Sequence, residues 1–197
     1  MADPSPPLGG TGSVTTEWPV AGLSRVERHI TGHDSEGKSV FVSSDCGDHY
    51  RVIGDKQAIG NIIYSTNTTP VELNDDVDIK HAKENEPALT VKNGTVARLI
   101  DFGPGAESPL HRSISVDYAI IIEGLFKLLL DSGEERILRR GDTIVNRATA
   151  HQWINVTGNG LLPGRILFVL IDANEVNVGG KKVEGFLGSI TKDYVGR

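Results

Sequence analysis

Pro109-Leu-His111-Arg-Ser113-Ile-Ser-Val-Asp117-Tyr-Ala-Ile-Ile-Ile-Glu-Gly124 is the stretch on which the fold turns. Alternation puts His111 and Ser113 on one face of a strand. After the short link Ile114-Ser-Val, it puts Asp117, Ala119 and Ile121 on one face of the next. Gly124 closes that run, and Phe126-Lys-Leu-Leu-Leu-Asp-Ser-Gly133 reads as a return strand and its turn. A second unit follows: Arg140-Gly141-Asp142-Thr-Ile-Val-Asn-Arg147, then Ala150-His151-Gln-Trp153-Ile-Asn155. There the same period points His151, Trp153 and Asn155 one way. Two short β units therefore each present a histidine, the first with a carboxylate nearby.

Working outward, Thr95–Phe102 leads into the first unit, and Gly164–Asp172 follows the second. The latter is apolar almost throughout, which suits a strand buried on both faces. Upstream, Arg25–Ile30, Ser39–Ser43 and Ala58–Ser65 read as strands. Gly32-His-Asp-Ser-Glu-Gly37-Lys38-Ser39 matches the phosphate-loop pattern letter for letter. That loop needs a following helix to present its amides, and Val-Phe-Val follows instead, so the segment predicts a hairpin turn. Residues 66–95 form a long polar connection with room for one helical turn, and a connection of this length can serve as a lid. Its acidic run lacks the ligand spacing of a calcium loop and reads as a solvated surface.

The two units resemble the motifs of the cupin superfamily. The first cupin motif is G-x5-H-x-H-x(3-4)-E-x6-G; Gly105, His111, Ser113, Asp117 and Gly124 stand at its positions. Ser113 thus replaces the second His and Asp117 the Glu. The second motif, G-x5-P-x-G-x2-H-x3-N, is met by Gly141, His151 and Asn155 with one residue fewer before the His. Arg147 and Thr149 stand at its Pro and Gly positions. The wording is similar to small single-domain cupins of bacteria and fungi. The resemblance implies an all-β, double-stranded β-helix (jelly-roll) barrel, with 18–197 one cupin domain whose barrel motifs lie in 96–172, while the Pro, Gly, Ser and Thr of residues 1–17 predict a mobile tail. It also implies a homodimer, as does the need to cover the apolar strand at Ile166–Ile171.

Composition agrees with one soluble β domain. A chain of 197 residues, 38% hydrophobic and 23% charged, is long enough for a real core. Twenty-three glycines spread between short β-like runs favour a turn-rich all-β architecture. A net charge of −6 without a basic cluster argues against nucleic acid as a partner. No apolar run reaches membrane-spanning length, and Met-Ala-Asp-Pro-Ser-Pro-Pro is not a secretion signal. Cys46 is alone and fits a reducing compartment, so a cytoplasmic location is expected.

In the resembling family the motif side chains converge in the barrel mouth, which makes His111, Asp117 and His151 the expected catalytic residues. Two His and one carboxylate match the facial triad of non-haem iron sites. Ser113 is a poor ligand where the family has its second His, and Asp117 is one methylene short. Two readings stay open. Either His111, Asp117 and His151 hold one divalent metal (Fe, Zn or Mn), or no cofactor is bound and the imidazoles transfer protons with Asp117 orienting one of them. Ser113, Arg147 and Trp153 are the expected substrate contacts, Arg147 as a rim charge and Trp153 as an apolar wall. The leading expectation is a small-molecule enzyme for dehydration, decarboxylation or isomerisation of a polar organic or polyketide-like metabolite. The alternatives are an iron-dependent oxygenase and a non-enzymatic ligand-binding cupin.

Overall fold

Alternating aliphatic and polar residues make strands whose inner side chains meet between two facing sheets. The computed structural model describes residues 17–194, so the tail expected over 1–17 lies outside the described residues except for Glu17. The chain runs β1 (Arg28–His33), β2 (Ser39–Asp45), β3 (His49–Ile53), β4 (Ala58–Thr66), α1 (Val77–Glu84) and β5 (Thr95–Phe102). It continues through β6 (Ser115–Glu123), β7 (Leu125–Leu130), β8 (Glu135–Arg139), β9 (Thr143–Arg147), β10 (His151–Asn155) and β11 (Gly164–Asp172). A two-residue ribbon, β12 (Asn177–Val178) and β13 (Lys181–Lys182), and the short helix α2 (Thr191–Tyr194) follow.

One sheet has the order β3-β4-β5-β11-β6-β9 and the other β10-β7-β8, all neighbours antiparallel. This is the expected all-β jelly roll. Between the sheets lie Ile100, Phe102, Ala119, Ile121, Phe126, Leu128, Trp153, Ile166, Phe168 and Leu170. The rings meet edge to face: Phe102–Phe126 at 5.2 Å, Phe126–Trp153 at 6.5 Å and Trp153–Phe168 at 5.6 Å between centroids. Such tilted pairs add to the burial of the rings themselves. Gly124 turns β6 into β7 at φ +96°, where a Cβ would stand 2.3 Å from Thr157 Oγ1. The turn therefore excludes every other residue type.

The outer face of the larger sheet holds a buried ion pair. Arg165 Nε and Nη2 donate to the two Asp101 oxygens at 2.5 and 2.8 Å, with both residues essentially inaccessible. Val20 N–H donates to Asp101 Oδ2, and Arg165 Nη1 donates to the Ser24 carbonyl. Trp18, Val20 and Leu23 pack there on Ile59, so the chain's own N-terminal segment covers this part of the sheet. A second subunit is not needed to shield this part of β11.

Two local expectations are corrected and a third is met. Pro109–Ile114 is not a regular strand; β6 begins at Ser115, and the segment before it touches β10 through bridges at Glu107–Ile154 and His111–His151. Pro109 and the tight approach to β10 leave room for bridges but not for a continuous ladder. The long connection carries α1, two turns where one was expected, packed on β4 with Ala82 buried. The cavity-facing part of that connection is its end, at Leu89. The phosphate-loop look-alike is the β1–β2 hairpin turn, with Asp34 Oδ1 accepting from Glu36 N and Lys38 N.

Candidate active site

Alternation on three adjacent strands builds the cavity wall. Val96, Arg98, Ile100 and Phe102 of β5, Ile166, Phe168 and Leu170 of β11, and Asp117, Ala119 and Ile121 of β6 share one face. In register, Leu170 stands beside Asp117, and Phe168 stands between Arg98 and Ala119. The opposite wall comes from His151 and Trp153 of β10 with His111 bridged to it. Ile190 and Tyr194 of the C-terminal segment complete the lining. The result is a recessed, mostly apolar cavity at one end of the barrel.

His111 and His151 lie side by side, ring centroids 4.4 Å apart and planes tilted by 52°. The His111 Nδ1 is 2.9 Å from the Pro109 carbonyl, which can only accept, so Nδ1 carries the proton and Nε2 keeps a free lone pair. The His151 Nδ1 is 2.9 Å from the Thr149 carbonyl, with the same consequence. Asn146 Nδ2 approaches that nitrogen at 3.1 Å, a contact that would favour the other tautomer. The carbonyl contact is the shorter, and it decides the tautomer. Burial pushes the His111 imidazole down to about 4, the neighbouring His151 adding to the effect, while the Pro109 carbonyl and Asp117 oppose it. Burial also pushes His151 down, against the pull of the Thr149 carbonyl. Both rings are therefore neutral at neutral pH.

Asp117 faces Asn146 across the β6–β9 ladder. Its oxygens accept from Ser115 Oγ at 2.5 Å, Asn146 Nδ2 at 3.0 Å and Ser113 Oγ at 3.2 Å. Burial raises its carboxyl, and those three donors hold the rise back. Asn146 is oriented in turn by Thr149, whose N–H and hydroxyl both donate to Asn146 Oδ1. Asn146 lies between Asp117 and the His151 ring, but with His151 Nδ1 protonated its Nδ2 donates to Asp117 alone, so no hydrogen bond joins Asp117 to an imidazole. The expectation that Asp117 orients one ring directly is corrected: its cross-strand register aims it at Asn146.

The structure brings His111, Ser113, Asp117, His151 and Trp153 into one cavity. It does not bring Arg147 there. Arg147 follows Asn146 on β9, and the period of two turns its exposed side chain to the outer face with Tyr118 and Val145. Trp153 is 2% exposed and lines the cavity, with its indole N–H unpartnered. Asn155 proves structural: its Nδ2 donates to the carbonyls of Gly103 at 2.8 Å and Leu162 at 2.9 Å, tying two loops together.

The sequence left open whether His111, Asp117 and His151 hold a metal or work without one. Among the described residues no group of three His, Cys, Asp or Glu side chains is arranged to hold a metal ion. The Asp117 oxygens accept from Ser113, Ser115 and Asn146. His111 and His151 by themselves would offer two imidazole nitrogens.

Sequence reasoning passed over Ser115, Asn146 and Arg98. Ser115 was legible as the residue two before Asp117. Arg98 was legible as a charge on the apolar face of Thr95–Phe102. Asn146 had no local signal, because only the β6–β9 register pairs it with Asp117.

Fold and site define a jelly-roll barrel with two neutral imidazoles and a hydrogen-bonded carboxylate around an apolar cavity. The chain belongs to the cupin superfamily. It is 69% identical over 183 residues to the cupin-domain-containing oxidoreductase fogC of Aspergillus ruber, covering 93% of this chain and 90% of that protein. It is 60% identical over 169 residues to the cupin-domain-containing oxidoreductase virC of Hypocrea virens, covering 86% and 87%. Among solved structures, an RmlC-like cupin from Shewanella frigidimarina is similar at 17% identity and a TM-score of 0.42, over 64% of this chain and 86% of that one. No protein-family model matches the chain.

Proposed function

We propose that this chain is a small-molecule cupin enzyme whose chemistry is proton transfer, as in dehydration, decarboxylation or isomerisation of a polar organic or polyketide-like metabolite. One observation carries the reading: two buried, neutral imidazoles sit 4.4 Å apart with their Nδ1 atoms held by backbone carbonyls and their Nε2 lone pairs free. A neutral imidazole is a base, and a mostly apolar cavity keeps water from competing for the proton. Rings this close repel when both are charged, so the pair holds one proton at a time. One ring takes a proton from the substrate, and the pair then returns it to a second atom of the same molecule. Asp117, raised by burial but held by three donors, favours the transient imidazolium through space.

The names of the relatives favour a second reading, an oxidoreductase acting through the same cavity. In that case the imidazoles take the proton that leaves with an oxidised C–H or O–H bond, and a separate acceptor takes the electrons.

The two readings separate in one experiment. Protein purified without chelator is incubated under argon in D2O with a panel of 1,3-dicarbonyl and β-hydroxycarbonyl compounds. Proton transfer predicts deuterium uptake or loss of water or CO2 without an electron acceptor, reduced about 10²-fold or more in His111→Ala and His151→Ala. Turnover that requires oxygen or a nicotinamide cofactor supports the second reading. Stoichiometric iron that is lost in both alanine variants, together with iron-dependent turnover, overturns the first.

A further inference from the structure

Arg98 is a buried charge that proton transfer leaves unused. It lies in the middle of β5, 1% exposed, on the face shared with Ile100 and Phe102, and it lines the cavity. Its Nη2 donates to the carbonyls of Ala88 at 2.9 Å and Leu89 at 2.7 Å, and its Nη1 donates to the Tyr194 hydroxyl at 3.1 Å. All three partners are neutral. Among the described residues it takes part in none of the ion pairs, and its Nε–H has no acceptor. Arg51, which shares the Tyr194 ring with it, is a like charge already matched by Glu86.

An arginine stays protonated in proteins, so this is a desolvated cation without a contacting anion. Asp117 lines the same cavity and attracts it from a distance, with its own oxygens taken by Ser113, Ser115 and Asn146. Two further buried polar atoms around the same cavity lack partners, the Trp153 indole N–H and Gln57 Oε1. Native interiors leave few such atoms, and three around one cavity call for something to bind them.

We propose that Arg98 is the anchor for an anionic oxygen of the ligand, and that the natural ligand is a small monoanion with an apolar, ring-sized body. Its carboxylate or enolate oxygen accepts from Arg98 Nε–H, and its body packs against Phe102, Phe168 and Trp153. This deepens the proton-transfer reading and rests on the same cavity: an anchored anion holds its neighbouring carbons towards the paired imidazoles.

Benzoate and its neutral counterpart benzyl alcohol test the idea on the intact chain. Calorimetric titration should give benzoate about tenfold or more the affinity of benzyl alcohol, as a charge-assisted hydrogen bond would. In ¹H–¹⁵N spectra the Arg98 Nε–H signal, assigned by its loss in Arg98→Lys, should move with benzoate and stay in place with benzyl alcohol. Arg98→Met should reduce the preference to about twofold or less, as loss of the one charged donor requires. Equal affinities in the wild type, an unmoved Arg98 signal, or a preference that survives Arg98→Met would each overturn the proposal. Where Arg98→Met fails to fold, the wild-type signal decides. His111→Ala keeps the benzoate preference, so loss of the acid–base reading and loss of the anchor are told apart.

Discussion

Replacing His111 with Gln removes a group that titrates freely only when the barrel opens. In the folded chain burial holds its imidazole down at about 4, against an ordinary value of 6.5. Between those two values the unfolded chain binds the extra proton and the folded chain does not. Stability contributed by the neutral ring is therefore complete above 6.5 and is lost as pH falls through 4. The gap corresponds to about 3 kcal/mol in full, of which about 2 kcal/mol is gone at about pH 4.5. Asp117, whose carboxyl is raised, works in the opposite sense: its contribution is present at low pH and lost as pH rises through its folded value. That contribution is common to both proteins and cancels in the comparison, apart from its coupling to His111. Gln keeps an amide that can donate to the Pro109 carbonyl, so the variant should fold. Urea unfolding followed by tryptophan fluorescence at about pH 7 and pH 4.5 measures the effect. Wild type should lose about 2 kcal/mol more than His111→Gln between the two conditions, at equal m-values. Parallel losses, or an NMR titration that puts the folded His111 at its ordinary value, would refute a neutral buried ring and with it the base proposed here.

Asp117→Asn should fold, since the amide fills the same volume. It removes a charge that supports the His111 imidazolium, so the acid-side limb of kcat/KM should move to lower pH, with a rate loss of about 10²-fold. An unchanged rate and profile would leave Asp117 a purely structural acceptor. Asp101→Asn strands the buried Arg165 charge and should cost about 3 kcal/mol, which calorimetry would read as a fall in Tm of about 6–12 °C. A shift under about 2 °C would mean that water reaches the pair. A homodimer remains expected from the family, with exposed Phe41 on β2 and Val145 on β9 as apolar contacts on offer. Sedimentation at micromolar concentration should give twice the chain mass of 21.2 kDa, and a species at the single mass would remove that expectation.

Much of the barrel was legible because a strand's period of two is local. Spacing alone put Asp117, Ala119 and Ile121 on one face, and likewise His151 and Trp153, and the cupin resemblance implied that these faces point inward. Gly124 was legible as a terminator, and its contact with Thr157 shows why no side chain fits there. Arg147 was misread for an instructive reason. Its place in a motif suggested a rim charge, whereas the same period of two, counted from Asn146, sends it outward.

The sequence by itself thus determined most strand faces and the two-histidine inventory, which follow from residue types at short spacing, and its resemblance to the cupin motifs implied the jelly-roll class. Tertiary structure alone decided what each polar group bonds to. The β6–β9 register set Asp117 beside Asn146, and Ser113 and Ser115 complete its hydrogen bonds. The Pro109 and Thr149 carbonyls chose the histidine tautomers. The carbonyls of Ala88 and Leu89, some ten residues before Arg98, and Tyr194 at the far end of the chain left that arginine buried with its Nε–H unpartnered. Hydrogen bonds act over about 3 Å between atoms whose separation in the chain is unconstrained, so no pattern along the sequence encodes them.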